Sequence, residues 1–102
     1  SIGDNAVAAI GAHYMARSYG LTLVEPFNRD IYGLVTSTTP FQGSGFAEWD
    51  FGVSDAEGPL PIEFGEDVHE VLRHEEAYKQ QLRTFLMEGT VQHYCDGACD
   101  PQ

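Results

Sequence analysis

The chain has 102 residues with 16 Asp and Glu against 5 Lys and Arg, a formal net charge of −11 at pH 7, and 42% of its residues are hydrophobic. That length supports one acidic α+β domain over residues 1–102, with roughly two-thirds of the unfolded surface removed from water and enough apolar mass to argue against intrinsic disorder. The cations Arg17, Arg29, Arg73, Lys79 and Arg83 are too few for direct nucleic-acid or anionic-membrane binding, and no apolar run is long enough to span a bilayer.

Residues 4–18 read as a first helix. Asp4 stands at the N-cap, Val7, Ile10 and Tyr14 repeat at helical spacing, and Gly20 lies just past the end as a stop. The small residues Ala8, Gly11 and Ala12, with Met15, form a neighbouring face suited to close packing. Residues 21–27 and 31–38 are rich in β-formers, and Asn28, Arg29 and Asp30 between them read as the turn of an antiparallel hairpin. After Pro40 and the Gly43-Ser44-Gly45 loop, residues 46–53 alternate as a third strand. Its alternation puts Trp49 and Phe51 inside, and Phe46, Glu48 and Asp50 on the wet face.

Residues 54–61, with Asp55, Glu57, Gly58, Pro59 and Pro61, read as an exposed loop, and 62–64 as a short edge segment. The clearest periodicity predicts one long helix over about 66–88. Val68, Val71, Leu72, Tyr78, Leu82, Phe85 and Leu86 form its apolar stripe, Glu66 and Asp67 sit in its first turn, and Gly89 ends it. A last short strand is expected over 90–94. The order α-β-β-β-α-(β) gives an α+β two-layer sandwich, an antiparallel sheet of three to four strands with an N-terminal and a long C-terminal helix.

Several residue groups invite a chemical reading. His69 and His74 resemble the paired ligands of a His-Glu-x-x-His zinc helix, but a five-residue step turns them about 140° apart, and Arg73 holds the position a second His would need. They are expected on a solvated face, with Glu70, Glu75, Glu76 and Lys79 in ordinary one-turn pairs. His93, Cys95 and Cys99 could supply three of the four groups of a tetrahedral zinc, yet there is no second Cys pair, so a local Cys95 to Cys99 disulfide is preferred to two free thiols and to a metal. Asp96 and Asp100 beside the sulfurs disfavour thiolate catalysis. Asp55-Ala56-Glu57-Gly58 lacks the alternating ligands of a calcium loop, and no nucleophile elbow or phosphate cradle occurs. No cofactor and no catalytic residue is assigned.

The acids are unevenly spread: ten lie between residues 48 and 76, where Arg73 is the one basic residue. Self-repulsion makes such a patch costly, so it serves solubility or steers a basic partner. In composition, not in any motif, the chain resembles small acidic proteins that occupy basic active sites or nucleic-acid grooves of other proteins, among them bacterial immunity proteins and phage inhibitors. The expected function is a non-enzymatic protein-binding module that engages, and inhibits, a protein with a basic surface through Glu48, Asp50, Asp55, Glu57, Glu66, Asp67 and Glu70. The alternatives are a small secreted effector or toxin-like protein with one C-terminal disulfide, and a small hydrolase or metal-binding protein. A start at Ser1 and paired cysteines favour secretion over a cytoplasmic location.

Overall fold

The computed structural model describes residues 1–4, 6–53 and 68–101. Within them the chain is a small compact α+β domain. It contains α1 (Ala9–Tyr19), β1 (Thr22–Glu25), β2 (Val35–Thr38), β3 (Phe41–Gln42), β4 (Gly45–Phe46), α2 (Val68–Val71), a single 3-10 turn (Leu72–His74), α3 (Glu76–Glu88) and β5 (Thr90–Val91).

The larger sheet has the order β2-β1-β4 and is parallel throughout, which corrects the antiparallel hairpin expected from residues 21–38. Thr22 pairs with Val35 and Glu25 with Thr38 on one side of β1, and Thr22 pairs with Gly45 on the other. The reversal read at Asn28, Arg29 and Asp30 falls later. The Leu34 N–H donates to the Ile31 carbonyl at 3.1 Å, and Gly33 takes φ +84° at the third position of that turn, where a side chain is strained. Ile31 is buried, so residues 26–34 run as a crossover tied into the core, and β2 starts again beside β1 in the same direction. A second, two-stranded sheet is antiparallel, with Phe41 opposite Val91 and Gln42 opposite Thr90.

Gly20 and Gly89 end α1 and α3 as expected, both in the left-handed region, and their N–H groups return to carbonyls of the last turn. The start of α1 differs. Asp4 Oδ1 accepts the N–H groups of Ala6 and Val7, both at 2.8 Å, and so caps a separate turn ahead of a helix that begins at Ala9. The buried face of α1 is Ala9, His13 and Ala16, while Val7 and Tyr14 are exposed. Small side chains permit the close approach, and the position between them places His13 inside.

The single helix expected over 66–88 is divided. Glu75 is extended, at φ −67° and ψ 127°, between the 3-10 turn and α3. No Gly or Pro marks this break in the sequence, and the two parts are tied to different places: Val68 is fully buried and His69 meets Asp4, whereas α3 runs on into β5. The third strand is also shorter than expected. Only Gly45–Phe46 is paired in the sheet, and residues 47–53 continue as irregular chain, with Trp49 buried and stacked on Phe51 at a centroid distance of 6.2 Å. The expected loop at 54–61, the edge segment at 62–64 and the helix start at 66–67 lie outside the described residues.

Candidate functional site

Two features stand out: a polar cluster inside the domain and an apolar face outside it. The polar cluster centres on Glu48, which the alternation of residues 46–53 puts on the wet face and which is in fact 6% exposed. Once the strand pairing ends at Phe46, alternation no longer dictates which way a side chain points. Arg29 Nε donates to Glu48 Oε2 at 2.7 Å and Arg29 Nη2 to Oε1 at 3.0 Å, while His13 Nε2 lies 2.7 Å from Oε1. Burial pushes the Glu48 carboxyl up, but the Arg29 and His13 hydrogen bonds and charges outweigh it and hold the group below its ordinary value. Asn28 completes the frame, its amide nitrogen donating to the carbonyls of Glu48 and Cys99, each at 3.0 Å. Residues that read locally as a turn thus form the clamp that joins the crossover, the irregular segment and the C-terminal tail.

A second carboxylate–imidazole contact joins the N-terminus to α2, with His69 Nδ1 2.8 Å from Asp4 Oδ2. Burial raises the Asp4 carboxyl, and the N–H groups of Val7 and Ala6 together with His69 more than reverse this, leaving it lowered. His74 is exposed on the 3-10 turn, and its carbonyl accepts from Lys79 Nζ at 3.0 Å.

The other expected acidic contacts are placed as follows. Asp50 is half-buried and accepts the Gly52 N–H at 2.9 Å. Glu70 is exposed and pairs with Arg73 at 2.8 Å. Asp55, Glu57, Glu66 and Asp67 lie outside the described residues. Glu48, locked inside by Arg29 and His13, is not available at the surface.

The apolar face belongs to α3, which buries none of its residues. Leu82 and Phe85 are 43% and 40% exposed, and Leu86, one turn on from Leu82, is 70% exposed. Beside them runs a groove of about 300 Å³ lined mainly by Leu21, Val24, Trp49, Tyr78, Leu82 and Phe85. The stripe expected to be core is therefore covered only at its start, by burial of Val68 and partial burial of Leu72 and Tyr78. The sequence marks these positions as apolar; their exposure is a tertiary property with no local signal.

At the C-terminus Cys95 and Cys99 form a disulfide, as expected, with Cα atoms 5.3 Å apart. His93 stands next to it: its Nε2 donates to the Gly97 carbonyl at 2.7 Å, and its Nδ1 is 3.9 Å from Cys99 Sγ. Gln81, reaching from α3, places its amide nitrogen 3.7 Å from each sulfur.

The chain matches no protein-family model, no curated protein and no solved structure.

Proposed function

We propose that the protein is a non-enzymatic binding module that engages a basic protein partner through the exposed apolar face of α3 together with the acidic residues of the 48–76 stretch. The observation that carries this reading is the exposed Leu82, Phe85 and Leu86 face of α3 beside an apolar groove, on a chain of net charge −11. An exposed apolar helix face beside a groove has the composition of a protein interface, with aromatic anchors at its centre. Its acidity repels a second copy of itself and attracts a partner of opposite charge over a Debye length. The residues of the His13–Glu48–Arg29 cluster do not line the groove and are engaged with one another, which favours a structural over a catalytic role.

Inhibition of the partner follows if the contact covers a basic active site or nucleic-acid groove. Charge reversal at Asp50, Asp55, Glu57 and Asp67 together then weakens binding and flattens its salt dependence. Binding unchanged in that variant would remove the acids from the account.

A second reading, a small secreted effector, is supported by the Cys95–Cys99 disulfide, since such bonds persist in oxidising compartments. Intact mass of the natively produced protein, with thiol alkylation and no reductant, separates the two settings: an unalkylated chain supports export, and two alkylated thiols support a reducing compartment.

A further inference from the structure

The trio His93, Cys95 and Cys99 has a use beyond the disulfide and beyond the proposed interface. We infer that reduction of Cys95–Cys99 creates a zinc site made of the two thiolates and His93 Nδ1. These three ligand atoms, from a single short loop, all lie within 4.8 Å of one another.

Three observations lead there. The Gly97 carbonyl can only accept, so His93 Nε2 is the donor in that hydrogen bond, which leaves Nδ1, 3.9 Å from Cys99 Sγ, as the ring nitrogen that can ligate a metal. This is the arrangement by which a backbone carbonyl fixes the tautomer and orientation of a ligating imidazole. The separation is close to the value of about 3.6 Å that sulfur and nitrogen ligands take around tetrahedral zinc. Gln81 then supplies an amide donor at 3.7 Å from both sulfurs, a weak contact for a disulfide and a charge-assisted one for two thiolates. Finally, the three-residue spacing between Cys95 and Cys99 falls within the range that zinc loops use, and Asp96 and Asp100 add negative charge that attracts a dication.

The chemistry balances simply. A dithiol reductant attacks the Cys95–Cys99 bond, passes two electrons and two protons to its sulfurs and leaves as its own disulfide. Zinc(II) then displaces the two thiol protons to solvent and accepts the His93 lone pair. Among the described residues no fourth His, Cys, Asp or Glu joins the trio, so a water or an external ligand completes the tetrahedron. The loop is thereby a disulfide under oxidising conditions and a metal site under reducing ones.

The test uses the full chain reduced with a water-soluble phosphine and titrated with cobalt(II) in excess magnesium, which occupies ordinary carboxylate sites. One equivalent is expected to bind with a thiolate-to-cobalt charge-transfer band and tetrahedral visible bands, both displaced by zinc. His93→Ala should weaken binding by at least about tenfold and Gln81→Ala by up to about tenfold, while the oxidised chain and the Cys95→Ser/Cys99→Ser variant lack the charge-transfer band. Circular dichroism and Trp49 emission report whether the reduced chain stays folded. The inference is overturned if reduced wild type binds cobalt no more tightly than the double-serine variant, if His93→Ala binds equally well, or if reduction unfolds the chain and zinc does not restore it.

Discussion

His13 on α1 and Glu48 in the irregular segment after β4 meet at 2.7 Å in the interior, 35 residues apart in sequence. With Arg29 on the same carboxylate, this contact ties α1, the crossover and the segment carrying Trp49 to one point. A buried carboxylate survives only where its charge and lone pairs are answered, and here they are answered by a guanidinium at two points and an imidazole at a third.

Glu48→Ala withdraws that carboxylate from a side chain environment that is only 4% exposed and leaves His13 and Arg29 facing a void. The expected loss is about 3–5 kcal/mol of folding stability, measured by urea unfolding followed through Trp49, with Glu48→Gln losing less because it keeps hydrogen-bonding capacity. A loss under about 1 kcal/mol for the alanine variant would remove the cluster from the core of the account.

The same group fixes a pH dependence. Its folded value lies below the ordinary 4.5, so its contribution is complete above that pH, where folded and unfolded chains are both ionised. As pH falls below 4.5 the unfolded chain takes up a proton first, and stability declines until the folded carboxyl protonates as well. Asp4, lowered from 3.8, adds a loss of the same sign over a slightly more acidic window. Wild type should therefore lose more stability than Glu48→Gln between about pH 5 and about pH 3; parallel pH profiles would contradict the assignment.

Gly45 of β4 lies close against Val91 of β5. A Cβ there would stand 2.7 Å from Val91 Cγ1 and 3.0 Å from Val24 Cγ2, both on stiff β-branched side chains. Gly45→Ala should cost about 1–3 kcal/mol by overpacking, read as a lower urea midpoint at constant slope. An unchanged midpoint would show that β4 does not lie against β5 this tightly.

How much of this was legible in the sequence follows the range of each interaction. The stops at Gly20 and Gly89 and the Cys95–Cys99 bond were readable because a helix end and a short loop carry their own chemistry. Trp49 is buried as expected, but not by the strand alternation that suggested it, since residues 47–53 are irregular and Glu48 beside it is buried too. The parallel sheet was not, because Asn28 and Arg29 look like turn residues and are used instead as long-range clamps, while the actual turn uses Gly33. Nor was the inward Glu48, whose partners lie 19 and 35 residues away. The apolar stripe of α3 was legible as apolar, but whether a stripe is core or surface depends on what packs against it.

The disulfide should contribute little to the fold. It closes a loop of only five residues, counting both cysteines, for which chain entropy gives about 2 kcal/mol or less. The tail is held independently, since the Cys99 carbonyl accepts from Asn28 at 3.0 Å and from the Asp50 N–H at 2.9 Å. Cys95→Ser/Cys99→Ser should therefore stay folded by circular dichroism with a modest fall in Tm, and global unfolding of that variant would contradict this reading.

The central claim is that the α3 face meets a basic partner, and the most direct measurement is site-specific photo-cross-linking in the natural source. A photoreactive side chain at Leu86, with Thr36 on exposed β2 as the control position, reports what lies against each surface. The account predicts a cross-link from position 86, not from 36, to a different polypeptide of basic composition, diminished as salt is raised. A cross-link to a second copy of this chain, or no cross-link from position 86, would contradict it.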